Sequence, residues 1–427
     1  MSLAPHLKPH SGPADVETVV STSGIEAWQV RSSFVPLLAL GFAFEGGAAQ
    51  DPPGRGGAMQ LLSRLLDEGA GPYRADAFQE RLAEHAIELN FSSGPDALGG
   101  SLKTLALHAD EAFELLRLAL AEPRFDEDAI ERVRAQTLAG LRFQANDPGT
   151  VASRRFVKEA FPGHPYGHPS SGTIESVAAI TRDDLVVLHK RVVASAKLKV
   201  AAVGDLKENE LAARLDQTFG GLPRNPSLSE IAPVSLSGRG TRHVVDLDVP
   251  QSVIRFGFGG ASWRDPDFIP TYVLNHILGG GAFTSRLFQE VRERRGLAYS
   301  VGTSLVSYRR AAMTWGYTAT KNERVAECLE VIGEEMRRLR EEGPTDDELE
   351  KAKAYLTGSY ALSFDTSTKI AHQLVQIAFE DLGLDYIRRR NDLVAAVTQD
   401  DIRRASARSL GDCEMLVVIA GRPTFTA

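Results

Sequence analysis

The sequence predicts an α+β fold of two homologous domains from an internal duplication, each a mainly antiparallel sheet with helices packed on it. Three observations carry that expectation. A chain of 427 residues is about twice an ordinary domain. Short motifs recur at a nearly constant offset, and strand-like and helix-like stretches come in blocks rather than in strict βαβ alternation. Hydrophobic residues make 43% and charged residues 24% of the chain, near the globular average, which excludes disorder, collagen or a coiled coil as the whole structure.

The repeat sets the reading of every element, so it comes first. Val35-Pro36, Phe42, Phe44, Gly46 and Asp51 recur as Val249-Pro250, Phe256, Phe258, Gly260 and Asp265, each 214 positions later (256 − 42). Ile130-Glu131-Arg132, opening a long helical pattern, returns as Leu349-Glu350-Lys351, an offset of 219 (349 − 130). Thr181-Arg182-Asp183-Asp184-Leu185 returns as Thr398-Gln399-Asp400-Asp401-Ile402, an offset of 217 (398 − 181). Each half then reads alike: paired strands with alternating apolar residues (Ile25 to Val30 and Leu37 to Phe44 in the first), a helix, further strands, several helices and a closing strand. The closing strands, Lys199 to Val203 and Met415 to Ile419, are followed by Gly204 and Gly421. The expected layout is a disordered segment at 1–14, a first domain at 15–222, a linker at 223–235 marked by Pro, Asn and Ser, and a second domain at 236–427.

Composition narrows the function classes. The best apolar run, Val35 to Phe44, is interrupted by Pro36 and Gly41 and is shorter than a bilayer span needs, so no membrane span is expected. A net charge of −8 gives no basic footprint for nucleic acid. Cys328 and Cys413 are too distant in sequence for a metal clip. Met1 to Pro13 has no apolar core of the secretory kind, so the chain as given carries no export signal.

A series of motifs then runs along nearly the whole chain: Asp51-Pro52-Pro53-Gly54 leading into Gly57-Ala58-Met59-Gln60, a helical pattern from Phe125 to Asn146-Asp147-Pro148, His164-Pro165-Tyr166-Gly167, Gly172-Thr173 and Val203-Gly204-Asp205. The most specific lies in the second half, Gly279-Gly280-Gly281-Ala282-Phe283-Thr284-Ser285-Arg286-Leu287-Phe288, continuing to Arg295-Gly296-Leu297-Ala298-Tyr299. In this order the set resembles the pitrilysin (insulysin) family of zinc peptidases, in the form with subunits of about this length. Active members carry an inverted zinc motif, His-x-x-Glu-His, on the first long helix, with a Glu further on as third ligand. Two His at i and i+4 face one metal while the Glu between them serves as general base.

This chain departs from that pattern. With Gly57 and Gly69 set on the family's flanking glycines, Gln60, Ser63 and Arg64 stand where His, Glu and His belong. Sliding by one residue gives Met59, Leu62 and Ser63. The third ligand position falls on Gly140, and the acidic residue one helical repeat before it on Val133. Other histidines offer no substitute. His164 and His168 are separated by Pro165 and Gly167, which forbid the helix that would bring them to one face. Arg81-Leu82-Ala83-Glu84-His85 mimics the motif with Arg in place of the first ligand, and reads as a polar helix end. His276 has no adjacent carboxylate and reads as structural. The chain itself is therefore expected to bind no metal.

In the same family the metal-free half contributes an Arg and a Tyr seven residues apart, and Arg292 and Tyr299 fit (299 − 292). When water attacks a peptide carbonyl, charge grows on the carbonyl oxygen, and a phenol O–H from Tyr299 suits that oxyanion. The fork of Arg292 suits a substrate carbonyl or carboxylate. Arg286, Arg294 and Arg295 stand close by, and an Arg-rich helix is most often a solvated face. The Gly279, Gly280 and Gly281 run lacks the ending of a phosphate loop, and reads equally as a substrate contact or as a helix C-cap with a turn.

The resemblance thus implies a non-catalytic, substrate-binding subunit of a heterodimeric zinc peptidase. It would supply Arg292 and Tyr299 in trans to a homologous partner that holds the zinc, around an unfolded peptide bound as an extra strand on a sheet edge. The sequence leaves open whether the chain alone forms a homodimer. The alternative is a catalytically inert structural or assembly protein of the same fold, which has no use for the Arg/Tyr pair. An autonomous peptidase would need a wholly different ligand set. The family's habits place the chain in the periplasm, with the cytoplasm as the alternative.

Overall fold

A computed structural model describes residues 15–32 and 36–424, so the segment expected to be disordered at 1–14, and Val35 of the repeat, lie outside the described residues. The chain divides into two compact units, and neither is contiguous in sequence. Among the described residues the first holds everything up to Gln136, with Ser176–Ser229 and Thr357–Asp392. The second holds Thr137–Glu175, Glu230–Leu356 and everything from Leu393 onward.

Eight strands belong to the first unit: β1 (Val16–Val20), β2 (Glu26–Arg31), β3 (Leu37–Glu45), β4 (Gly69–Ala70), β5 (Tyr73–Arg74), β6 (Glu88–Ser93), β7 (Ala97–Leu105) and β8 (Lys199–Gly204). Apart from the β4-β5 ribbon they form one sheet in the order β1-β2-β8-β3-β7-β6, antiparallel except between β2 and β8. The apolar run of the sequence is β3, whose Leu38, Leu40, Phe42 and Phe44 are all at most 2% exposed. A strand buried on both faces has no need of polar alternation. Burial of each such side chain stabilises the fold by about 1.5–3 kcal/mol. No helix among the described residues is long and apolar enough to cross a membrane.

The second unit holds β9 (Arg242–Val245), β10 (Gln251–Gly259), β11 (Ala298–Ser307), β12 (Ala312–Lys321) and β13 (Leu416–Ala420), in the order β11-β12-β10-β13-β9. Only β13 and β9 run parallel. Read in one direction, β2-β8-β3-β7-β6 and β9-β13-β10-β12-β11 are the same topology, with the parallel pair in the same place. The duplication is therefore visible in the strand order, with β1 added to the first copy. It is also visible residue by residue. Thr181 and Thr398 cap equivalent helices, and Asp184 and Asp401 return the bond in matching capping boxes. Gly204 and Gly421 end equivalent strands at φ 153° and 152°, where only glycine rests without strain.

Helices cover these sheets in an exchanged arrangement. In the first unit the Ser367–Phe379 helix, from the second half of the sequence, packs on β3 and β8, its Ala371 and Val375 against Gly41. In the second unit the Pro148–Ala160 helix, from the first half, packs on β10 and β13, with Phe156 against Gly257 and the Trp315 ring. The halves 15–222 and 236–427 and the compact units are thus different partitions of one chain. Residues 223–235 contain no regular element. The Gln50 side-chain amide pairs with both backbone groups of Ser229 in the first unit, at 2.8 and 3.0 Å.

Candidate functional site

The Phe268–Asn275 helix continues as a π-helical turn over His276–Gly280, and a second π-helical stretch spans Phe288–Arg294. Such widened turns reposition side chains and are frequent at functional sites. Gly279 and Gly280 end the first stretch and Gly281 follows it, and none of the three is left-handed; that role falls to Ala282, at φ 46°. What the glycines permit is close approach. A methyl group at 279 would lie 2.6 Å from Thr303 Oγ1, one at 280 would lie 2.6 Å from Asn275 Nδ2, and one at 281 would lie 2.7 Å from the His276 carbonyl oxygen. His276 is buried, stacks on Tyr355 at 4.9 Å and has its pKa lowered by burial, as a structural histidine does.

The four arginines of this region separate by what holds them. Arg286 pairs with Glu348 through both Nε and Nη2 at 2.7 Å and also donates to the Gly343 carbonyl. Arg294 and Arg295 both clamp the buried carboxylate of Glu290. Arg292 instead rests on aromatic rings, its guanidinium carbon 4.7 Å from the centroid of Phe288, 4.9 Å from Tyr299 and 5.9 Å from Phe283. Its nearest carboxylate oxygen, on Glu293, lies 3.6 Å from Nε. Such a stack holds the cation by the ring quadrupole and leaves the donors of its fork available. Phe288 sits one helical turn before Arg292, a signal present in the sequence; the part played by Phe283 carries no such spacing.

Tyr299 stands on β11, an edge strand, where the register with β12 shifts between Ala298 and Val301. One extra residue on β11 makes a bulge, a common device for re-aiming a side chain. Tyr299 is 84% exposed. The structure thus brings Arg292 and Tyr299 into contact.

The degenerate zinc positions are placed differently. Gln60 and Ser63 lie on a helix of only six residues, Ala58–Ser63, and Arg64 is its C-cap; the resemblance implied a long one. The helix stops because bonding tightens at once, with Leu65 N–H donating to the Leu62 carbonyl three residues back. Gly57 N–H and Met59 N–H both donate to the Asp51 carboxylate at 2.7 Å, and burial pushes that carboxyl up to about 7. Ser63 is buried and its hydroxyl donates to the Gln60 carbonyl. Met59 and Leu62 are core residues. Gly140 is an exposed position of the Glu127–Gln144 helix and belongs to the second unit, whereas Gln60, Ser63 and Arg64 belong to the first. An amide, a hydroxyl, a guanidinium and a bare glycine do not make a zinc site.

The other histidines considered as ligands, His85, His164 and His168, are helix-end and loop residues. His164 Nδ1 accepts from the Tyr166 N–H, and Pro165–Gly167 forms a 3-10 turn between His164 and His168. His85 caps the Ala75–Glu84 helix and meets His108 edge to face. Among the described residues no group of three or more His, Cys, Asp or Glu side chains could hold a metal ion. Cys328 and Cys413 are both free thiols, and burial pushes Cys328 up to about 11.

The chain is similar to known proteins over most of its length. Residues 179–356 match the family model of the peptidase M16 inactive domain. The chain is 31% identical over 335 residues to a non-peptidase homolog, YmxG, of Helicobacter pylori, covering 77% of each chain. It is 27% identical over 399 residues to an uncharacterized zinc protease of Streptomyces coelicolor, covering 87% of this chain and 82% of that one. Among solved structures, a peptidase M16 inactive domain from Pseudomonas fluorescens superposes with a TM-score of 0.88 at 27% identity, covering 96% of this chain and 98% of the other. A chain of complex III2 from Candida albicans shares the fold, with a TM-score of 0.79 at 17% identity over 96% of each chain.

Proposed function

The chain belongs to the peptidase M16 family, and on that premise we propose that it is the non-catalytic, substrate-binding subunit of a heterodimeric zinc metallopeptidase. A homologous partner holds the zinc, and this chain supplies Arg292 and Tyr299 in trans. One observation carries the reading: Arg292 lies stacked on Tyr299 with its ring centroid at 4.9 Å, while Tyr299 itself is 84% exposed on an edge strand. A phenol so exposed contributes little to its own fold, whereas an oxyanion donor must be presented outward. The rings keep the Arg292 fork oriented toward a substrate carbonyl or carboxylate. The exposed edge of β11 lets an extended peptide add as a further strand beside the pair. Because the donor set at Gln60, Ser63, Arg64 and Gly140 does not suit zinc, the metal chemistry belongs to the partner.

The test pairs this chain with a homologous subunit carrying an intact His-x-x-Glu-His motif. Together they are expected to cleave an unfolded peptide that neither cleaves alone. Tyr299→Phe lowers kcat by roughly a hundredfold or more with KM little changed, as loss of an oxyanion donor does. Stoichiometric zinc and cleavage by the isolated chain would overturn the reading, as would an active pair indifferent to Tyr299→Phe. A stable complex without peptidase activity favours the structural or assembly role instead.

A further inference from the structure

A cavity of about 670 Å³ lies within the first unit, at the end of the sheet where the parallel strands β2 and β8 begin. Its size falls in the range of small-molecule sites. Its lining is mostly polar, with a smaller apolar patch from Ile25, Trp28, Leu198 and Leu222. Four charged side chains line it as well, and they are not equivalent. Lys199 and Asp381 neutralise each other at 3.2 Å. Glu26 and Arg224 line the same cavity, yet they form no ion pair with each other, and among the described residues neither has any other ionic partner. The Glu26 carboxylate is steadied on one oxygen by the Trp28 indole N–H at 3.3 Å, which leaves its remaining acceptor sites available.

An exposed carboxylate and an exposed guanidinium, both without an ionic partner among the described residues, on one mostly polar cavity with a small apolar patch match a ligand with an ammonium at one end, a carboxylate at the other and an apolar side chain between. We propose that this cavity binds a zwitterionic α-amino compound, a free amino acid or dipeptide with apolar side chains. Glu26 accepts from the α-ammonium, Arg224 holds the α-carboxylate with its fork, and Trp28, Leu198 and Leu222 cover the side chain. The cavity lies wholly within one unit and shares no residue with the Arg292 and Tyr299 site. The inference therefore stands apart from the proposed peptidase role, and its test uses this chain alone.

Calorimetric titration of the full chain with leucine and with Leu-Leu is expected to show saturable binding at millimolar concentration or below, and the stronger of the two identifies the ligand length. Glu26→Gln and Arg224→Gln each weaken it by about tenfold or more, the usual loss of one charge-assisted contact. Blocked ligands report which end meets which residue. N-acetyl-Leu-Leu binds the unaltered chain at least tenfold more weakly and is insensitive to Glu26→Gln; Leu-Leu amide is likewise weakened and is insensitive to Arg224→Gln. Blocked ligands that bind the unaltered chain as tightly as the free dipeptide would overturn the proposal even if a variant failed to fold, and so would the absence of saturable binding by both free ligands.

Discussion

At the scale of single residues, the glycine turn is a packing device. Position 280 has no room for a methyl group beside the Asn275 side-chain amide, and Asn275 is itself buried. Gly280→Ala is expected to lower the unfolding free energy by about 1–3 kcal/mol, the usual cost of overpacking, as read from urea titration. Gly140→Ala makes the contrast, because an added methyl there meets nothing within 4 Å at an exposed position of a helix. That substitution is expected to stabilise by about 0.4–1 kcal/mol. An equal loss at both positions would refute the packing account. Arg292 and Tyr299 were singled out by the seven-residue spacing that the resemblance implies, though their contact was not, and the replaced zinc ligands were legible as residue types. Which arginine would rest on aromatic rings was not, because Glu348 reaches Arg286 from 62 positions away. The cavity beside Trp28 was not legible either, since β2, β8, residues 220–224 and residues 378–383 meet only in the folded unit.

At the scale of elements, the helix start at Ala58 depends on one buried acid. Asp51 accepts from two backbone N–H groups of that start, yet burial holds its carboxyl up at about 7 against an ordinary value of 3.8. A carboxyl raised in the folded state favours folding fully below its unfolded pKa, and that contribution is lost as pH rises through the folded value. The Asp51 contribution therefore fades from about pH 4 to about pH 7. Asp51→Asn is expected to flatten this part of the Tm-against-pH profile. It also lowers Tm at acid pH, since an amide presents only one acceptor to two donors. A profile that keeps its slope between pH 5 and 8 in the variant would assign the pH dependence to other groups. Elements of this size were well marked in the sequence where local chemistry fixes them. The Thr-x-x-Asp boxes at Thr181 and Thr398 start helices in both halves, and the apolar run after Pro36 is a central strand. The short helix at Ala58 was not marked, because its early stop depends on the turn that follows.

At the scale of the whole molecule, a constant offset reveals which segments are copies but not which sheet a helix covers. Helices exchanged between halves and helices kept at home have the same amphipathic pattern, and only tertiary packing distinguishes them. The exchange has a consequence for folding. A chain cut in the linker leaves the first half without Ser367–Phe379, which covers β3 and β8, and the second half without Pro148–Ala160, which covers β10 and β13. Each sheet would then expose apolar surface that the intact chain buries, a state prone to aggregation. Separately expressed halves, 15–222 and 236–427, are expected to be insoluble or to bind a hydrophobic dye. Co-expressed halves are expected to form a soluble complex with one cooperative thermal transition. Protection of the β3 and β8 amides from hydrogen exchange should be lost in the first half alone and return in the complex. If the first half alone is soluble, cooperative and protected at Leu40 and Ala202, the helix from the second half is dispensable to its sheet, and the contiguous halves, not the exchanged units, are the folding units of this chain.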